Sequence, residues 1–229
     1  MSIAVIPARG GSKRIPKKNI KLFRGEPIIA RSIQVAINSG LFDEVIVSTD
    51  DKEIAKISIN FGASVPFFRP HELSNDHATT LDAMEHAARW LRANNKLSES
   101  LCCIYPTAPF LEQTDLSQAF KLLNKSTHYV FSAVEYNHPV QRAFSLNEQL
   151  GVQMNQPNHI QTRSQDLEPN YHDAGMFYLG WAESFINQQP IFSEHSKALV
   201  LPNYRVHDID NTDDWYRAEL MHQAYLSQE

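Results

Sequence analysis

Cysteine is nearly absent: the 229 residues hold two, Cys102 and Cys103, side by side in an apolar run. Adjacent cysteines rarely bridge each other, and a structural zinc site asks for more ligands at wider spacing. Neither a disulfide framework nor a cysteine-built metal site is expected, and the pair reads as core thiols of a reducing cytoplasm. Basic clustering is equally scarce. The formal net charge is −5 and no Lys/Arg block or stripe runs along the chain, which excludes the electrostatic footprint of a nucleic-acid binder. No apolar stretch approaches the roughly 20 residues of a membrane span. Residues 3–8, with no cationic segment ahead of them, are too short for the apolar core of a secretory leader. The expectation is a cytoplasmic protein without leader or anchor. The ten histidines show no His-x-x-x-His spacing, no Ser-His-Asp or Cys-His arrangement can be argued, and there is no internal repeat.

What is present is ordinary globular material, 42% hydrophobic and 21% charged, long enough for one α/β domain over residues 1–229 with a modest insertion. Apolar runs alternate with helical periodicity. Residues 3–6, 45–47, 65–68, 101–105, 129–134, 177–179 and 199–201 read as strands. Helical spacing is carried by Ile29, Ile33, Ala36 and Ile37, then by Ile54, Ile57 and Phe61, and by Leu81, Met84, Ala88 and Leu91. Thr114 can cap a helix reaching Leu123, and Trp215, Ala218, Met221 and Tyr225 mark a closing helix. This β-α-β-α order predicts a mostly parallel sheet with helices on both faces. Over residues 139–170 the pattern weakens, and alternation there predicts a small hairpin insertion.

Five segments can carry chemistry. The loop after the first strand holds Gly10 and Gly11, which permit close backbone approach, together with Arg9, Lys13, Arg14, Lys17 and Lys18. Ligands of parallel sheets bind beyond the carboxyl ends of strands, so a cationic loop here suits a triphosphate, although it is neither a P-loop nor a G-x-G-x-x-G turn. Near the other end, Asp208 and Asp210 stand at i and i+2, so both carboxylates face one side of an extended segment, and two hard oxygen ligands plus phosphates are how Mg²⁺ is usually held. The competing reading is a surface turn, with Asn211 or Thr212 capping the helix that follows. A polar loop over residues 68–76 offers Arg69 to a base carbonyl, while Asp76, Thr79 and Thr80 shape a pocket or cap the next helix. Prolines 106 and 109 stiffen a loop just past a strand, around Tyr105 and Thr107. Finally, Arg163 and Gln165 are followed by Tyr171 and Asp173, with Arg163 suited to a bidentate grip on a carboxylate. His172 and His207 border these segments and read as structural or surface histidines.

Taken together the segments resemble the sugar-acid cytidylyltransferases, the family of CMP-sialic acid and CMP-Kdo synthetases. The stretch Ile6-Pro-Ala-Arg-Gly-Gly-Ser-Lys-Arg-Ile-Pro-Lys-Lys-Asn19 is the most specific match. Ser48-Thr49-Asp50, Arg69-Pro70, Pro106-Thr107 and Asp208-Ile209-Asp210 follow in order, so the resemblance spans almost the whole chain. It implies a Rossmann-like nucleotidyltransferase fold, a homodimer that uses the 139–170 insertion, CTP as CMP donor and Mg²⁺ as cofactor. Carried over by position, Arg9, Ser12 and Lys18 meet the triphosphate within a loop that includes Ala8, Gly10 and Gly11. Asn19 and Arg69, with Asp76 and Thr79 nearby, meet the cytidine, and Asp208 and Asp210 hold the metal. Tyr105, Thr107, Arg163, Gln165, Tyr171 and Asp173 are the expected sugar contacts. There the chain departs from the sialic acid pattern, with Tyr105, Ala108, Phe110, Leu111 and Asp173 in place of its residues, and looks instead like the branch that activates pseudaminic acid. Activation of N-acetylneuraminic or legionaminic acid is the alternative within the family. A metal-dependent glycosyltransferase is disfavoured because its D-x-D lies midway along the chain, and a silent nucleotide-binding regulator because it could dispense with Asp208 and Asp210. No side chain stands out as general base.

Overall fold

The computed structural model describes residues 2–227. Its first strand, β1 (Ser2–Pro7), is buried along nearly its whole length, as a strand covered on both faces must be. A short antiparallel ribbon, β2 (Leu22–Phe23) and β3 (Glu26–Pro27), leads into α1 (Ile28–Asn38). Ile28, Ile29, Ile33 and Ala36 form the buried stripe of that helix, and each isoleucine removed from water is worth about 1.5–3 kcal/mol. β4 (Glu44–Ser48) is followed by α2 (Lys52–Asn60), which starts where the Asp51 carboxylate accepts the backbone N–H groups of Glu53 and Ile54, at 2.7 and 3.1 Å. α3 (Thr80–Ala93) is capped by Thr79, whose hydroxyl accepts the Asp82 N–H while the Asp82 carboxylate accepts the Thr79 N–H. Then come β5 (Ser100–Ile104), α4 (Gln113–Leu122) and β6 (Tyr129–Glu135), the hairpin β7 (Phe144–Leu146) and β8 (Val152–Met154), the long β9 (Tyr171–Trp181), α5 (Ala182–Ile186), β10 (Ser196–Val200) and α6 (Thr212–Leu226).

Six strands form the central sheet in the order β10-β6-β9-β5-β1-β4. All run parallel except β9, which is antiparallel to both of its neighbours. The mostly parallel sheet expected from the sequence is therefore present, and the predicted hairpin is β7–β8. Helices cover both faces. Cys102 belongs to the core shared with α1, α4 and α6, and Cys103 to the core shared with α3 and α5, as strand alternation requires. Both thiols are free and buried.

Two local expectations change. Residues 65–68 form no strand; two isolated parallel bridges, Ile46–Ser64 and Thr49–Phe68, tie the segment to β4, and Pro66 between them has no N–H to extend a ladder. Thr114 does not cap α4. The helix starts at Gln113 with Glu112 as its cap, because the carboxylate of Asp115 three residues on accepts the Glu112 N–H at 3.0 Å.

β9 is also longer than the sequence suggested, and it carries the feature that matters most for function. Its register against β6 shifts between Phe131 and Ala133. There Ser132 Oγ accepts the Met176 and Phe177 N–H groups at 3.1 and 3.3 Å, and Gly175 takes φ +62°, a conformation that costs glycine little. Such a bulge re-aims side chains. Because β9 runs antiparallel, its start lies beside the carboxyl end of β6, and it passes the carboxyl end of β5 at Phe177.

Candidate active site

The loop after β1 is shaped by its neighbours from β4. Ala8 N donates to Ser48 O at 2.9 Å and Gly10 N to the Asp50 carboxylate at 2.9 Å. A Cβ on Gly10 would lie 2.7 Å from Asp51 Oδ2, whereas one on Gly11 would meet open space. Asn19 is buried and its amide donates to Arg9 O at 3.0 Å, closing the loop on itself. Arg9, Ser12, Lys13, Arg14, Lys18, Asn19 and Asp76 line a cavity of about 400 Å³. Across it Arg9 meets Asp76 at 2.8 Å, and Lys13 pairs with the other oxygen of the same carboxylate. Hydrogen bonds from Lys13 and Arg9 hold the Asp76 carboxyl below the usual carboxylate range. Thr79 is committed to capping α3.

Arg69 is 5% exposed. Its backbone N–H donates to Thr49 O at 2.8 Å and its Nε to Ser74 Oγ at 3.1 Å. Burial draws its pKa down and the nearby Asp50 opposes this; a guanidinium stays charged at neutral pH regardless. Asp50, which the sequence offered only as part of a motif, thus holds the Gly10 amide and faces a buried cation.

Asp208 and Asp210 lie on the connection between β10 and α6, with Ile209 between them only 2% exposed. The alternation puts Ile209 in the core and turns both carboxylates into a second cavity of about 400 Å³, which they line with Lys18, Tyr105, Thr107 and Asp173. Lys18 lines both cavities. Its Nζ donates to Ile209 O at 2.8 Å and lies 3.9 Å from Asp210 Oδ1, while Arg14 pairs with Asp210 Oδ2 at 2.7 Å. Burial raises the Asp208 pKa, and the adjacent Asp210 raises it further against the pull of Lys18. Burial lowers that of Lys18, against the pull of Asp210. Asn211 caps α6 through Asp213 and Asp214, so the cap and the carboxylate pair coexist. Among the described residues no group of three or more His, Cys, Asp or Glu side chains is arranged to hold a metal ion. The two carboxylates are hard donors suited to a divalent cation whose remaining positions go to phosphate oxygens and water.

At the far wall, both oxygens of Asp173 are engaged. Oδ1 accepts Gly175 N at 2.9 Å and Oδ2 accepts the Tyr178 hydroxyl. The Tyr178 ring packs edge-on against Tyr105 at 5.7 Å, and Tyr105 OH lies 2.9 Å from Thr80 Oγ1. Sequence reasoning missed Tyr178; the signal was a tyrosine within an apolar strand, whose hydroxyl needs a partner when buried. His172 and His207 line this cavity as well. His207 packs on Phe110 at 4.9 Å with its Nε2 3.1 Å from Tyr204 O. Leu111 is buried in the core and does not line the cavity. Arg163, Gln165 and Tyr171 also lie outside it. Arg163 pairs with Asp166 at 2.7 Å in an exposed turn, Gln165 borders a surface groove near Tyr136, and Tyr171 is exposed.

The carboxyl ends of the sheet's strands therefore gather a cationic loop and a carboxylate pair in two cavities that share Lys18, while the buried Arg69 stands beside Asp50 outside both linings. A family model described as cytidylyltransferase matches residues 3–227. The chain is 44% identical to the pseudaminic acid cytidylyltransferase of Campylobacter jejuni subsp. jejuni serotype O:23/36 (strain 81-176) over 97% of each chain. It is 31% identical to the CMP-N,N'-diacetyllegionaminic acid synthase of Legionella pneumophila subsp. pneumophila, over 95% of this chain and 94% of that one. Among solved structures, a CMP:2-keto-3-deoxy-manno-octonic acid synthetase complexed with CTP superposes with a TM-score of 0.69 at 16% identity, over 97% of this chain and 99% of the other. The shared fold is the Rossmann-like nucleotidyltransferase fold. No helix among the described residues is long and apolar enough to cross a membrane.

Proposed function

The chain belongs to the cytidylyltransferase family, and on that footing we propose that it transfers CMP from CTP to the anomeric hydroxyl of a nonulosonic acid, pseudaminic acid in first place. The observation that carries this reading is the junction at Lys18, where the cationic loop after β1 meets the cavity lined by Asp208, Asp210, Tyr105 and Asp173. A triphosphate and a sugar acid then have adjacent sites.

In the reaction the sugar hydroxyl oxygen bonds to the α-phosphorus of CTP, the bond from that phosphorus to the bridging oxygen breaks, and pyrophosphate leaves. Chemistry of this kind depends on positioning and charge neutralisation. Arg9 and Lys13, now shared with Asp76, and Arg14, now on Asp210, are the cations available to the departing pyrophosphate. Ser12 and the amides of Gly10 and Gly11 offer further donors. Arg69 is held rigidly enough to read the cytosine carbonyl, and Asn19 supports the loop beside it. Mg²⁺, held by Asp208 and Asp210, would polarise the α-phosphate and lower the hydroxyl pKa. The base that takes the hydroxyl proton stays unassigned.

Tyr105, Thr107 and Asp173 are proposed as sugar contacts from the cavity wall, where the Tyr105 hydroxyl and both Asp173 oxygens already have protein partners. This favours the deoxygenated, acylated tail of pseudaminic acid over the triol of N-acetylneuraminic acid, because a site without partners for buried hydroxyls rejects them strongly. Identity to the Campylobacter jejuni pseudaminic acid enzyme supports the same choice. We also propose a homodimer built through the β7–β8 insertion, on which Phe144, Leu146, Leu150 and Val152 are all exposed. Arg163, Gln165 and Tyr171 enter the sugar-binding proposal only through a movement or sharing of that insertion. The two buried free thiols support a reducing, cytoplasmic setting.

Pyrophosphate release from CTP, measured with pseudaminic, legionaminic, N-acetylneuraminic and Kdo acids, tests the reading. The highest kcat/KM is expected for pseudaminic acid. A preference for N-acetylneuraminic acid refutes the pocket argument, and one for legionaminic acid refutes only the isomer. A monomeric mass by light scattering at assay concentration refutes the dimer.

A further inference from the structure

Residues 201–211 connect β10 to α6 and line the cavity through Val206, His207, Asp208 and Asp210. Backbone hydrogen bonds hold the start of this path: Leu201 N to Ala133 O at 2.8 Å, Arg205 N to Pro202 O at 3.0 Å and Val206 N to Asn203 O at 3.1 Å. Beyond that point side chains fasten it. Lys18 Nζ donates to Ile209 O at 2.8 Å, and the Asp214 carboxylate accepts Asp210 N and Asn211 N at 3.2 and 3.1 Å. The upstream anchor is Arg205, three residues before Asp208. It is 6% exposed and forks onto Asp115, itself 3% exposed. Nη1 donates to Oδ2 at 3.0 Å and Nη2 to Oδ1 at 2.8 Å, while Nη1 also meets Glu112 Oε1 at 2.8 Å.

The partners are what give this ion pair meaning. Glu112 directly follows the Tyr105–Leu111 loop, and its backbone N–H donates to the Asp115 carboxylate at 3.0 Å. The fork therefore joins the end of one lining segment, which includes Thr107 and Phe110, to the start of another at Val206 and Asp208. A buried ion pair is poor evidence of stabilisation, since desolvation of the two charges offsets their attraction. What a bidentate arginine–carboxylate pair supplies is fixed geometry.

We infer that Arg205, through its fork on Asp115, is a positioning residue that sets the register of residues 206–210 and so aims Asp208 and Asp210 at the triphosphate. The inference rests on the reading of Asp208 and Asp210 as metal ligands. Residues that orient metal ligands without touching the metal are typically worth about 10–100-fold in metal affinity or activity.

The test uses the full chain with two variants. Arg205→Lys keeps the charge and loses the fork. The double variant Arg205→Met, Asp115→Leu replaces the buried pair with apolar groups, an exchange that is often neutral for folding where the single substitution is not, at the cost of the bond from Glu112 N to Asp115 that caps α4. Calorimetry gives the CTP dissociation constant with Mg²⁺ and in EDTA, and the ratio of the two reports metal coupling without turnover. Both variants are expected to lose roughly 10-fold or more of that ratio, with the CTP constant in EDTA and the KM for the sugar acid unchanged, and with the midpoint of the double variant lowered by a few degrees through loss of the α4 cap bond. Asp208→Asn serves as the reference for complete loss. A wild-type ratio in the Arg205 variants beside a collapsed ratio in Asp208→Asn overturns the positioning role alone, whatever happens to the thermal midpoint. A wild-type ratio in Asp208→Asn overturns the metal reading and this inference with it.

Discussion

Gly10 provides a perturbation whose size can be worked from the coordinates. A Cβ at that position would lie 2.7 Å from Asp51 Oδ2 and 2.9 Å from Asp51 Cβ, where ordinary contact begins at 3.4 Å, so about 0.7 Å (3.4 minus 2.7) must be found by moving one partner. Asp51 is not free to yield, because Oδ1 of the same carboxylate caps α2 through the N–H groups of Glu53 and Ile54. If Asp51 retreats, the cap weakens, at a cost of about 0.5–2 kcal/mol. If the loop retreats, the Gly10 amide leaves Asp50 and the amides and cations of the loop move by an appreciable fraction of an ångström. Misplacement on the order of 1 Å can cost about 100-fold in rate. Gly10→Ala is therefore expected to lower kcat/KM for CTP by roughly 30–100-fold while lowering the thermal midpoint by only a few degrees, since overpacking of this kind costs about 1–3 kcal/mol. Gly11→Ala is the control for the steric argument: its Cβ meets no protein atom within 4 Å, so its thermal midpoint should match wild type, as a substitution free of protein contacts allows. Steady-state kinetics at saturating sugar acid, with scanning calorimetry on the same samples, measure both quantities. An equal fall of the thermal midpoint in the two variants, or none in Gly10→Ala, would refute the argument from Asp51.

Asp210→Asn should reduce turnover by orders of magnitude with the fold retained by circular dichroism; wild-type turnover of that variant in excess EDTA would remove the metal from the mechanism. Tyr178→Phe removes the hydroxyl that holds Asp173 Oδ2, and hydrogen bonds to charged groups contribute about 1.5–3 kcal/mol. The KM for the sugar acid should rise by 10-fold or more while the KM for CTP is unchanged, and an equal rise in both would mean the tyrosine acts only on the fold. His222 is buried between Phe23 and Phe110; burial first, then Arg31 and Arg24, lower its pKa from 6.5 to about 4. The unfolded chain binds that proton first as pH falls, so stability present above pH 6.5 should decline between 6.5 and about 4, by up to ~3 kcal/mol. Urea melts across that window should show a shallower decline in His222→Gln, and identical pH profiles would count against the assignment.

Much of this fold can be read from short stretches of sequence, because the forces involved act over two to four residues. Alternation across β5 puts Cys102 and Cys103 on opposite faces. Helical spacing places Ile29, Ile33 and Ala36 on one stripe of α1. The i, i+2 spacing of Asp208 and Asp210 about a buried Ile209 needs only an extended backbone. The Thr79–Asp82 and Asn211–Asp214 capping boxes are likewise local. The loop from Arg9 to Asn19 was legible for the same reason: glycines and cations directly after a buried strand define a site before its partners are known.

Other features depend on where distant segments of chain meet, and no local pattern contains them. β9 reads as an ordinary apolar strand, yet it is antiparallel and bulged because the insertion before it returns the chain on the opposite heading, and that turns Asp173 towards Tyr178. The fork of Arg205 on Asp115 joins residues 90 apart. Local sequence would have made either one an exposed charge, and only tertiary burial makes each necessary to the other. Arg163, Gln165 and Tyr171 follow one another closely before Asp173 and read as one site with it, whereas the structure leaves them on the exposed face around the hairpin. Periodicity and caps specified the elements, the cationic loop and the carboxylate pair. Which charges are buried, and which walls share a cavity, was decided by the packing of the sheet, since burial and pairing are properties of the whole chain's path.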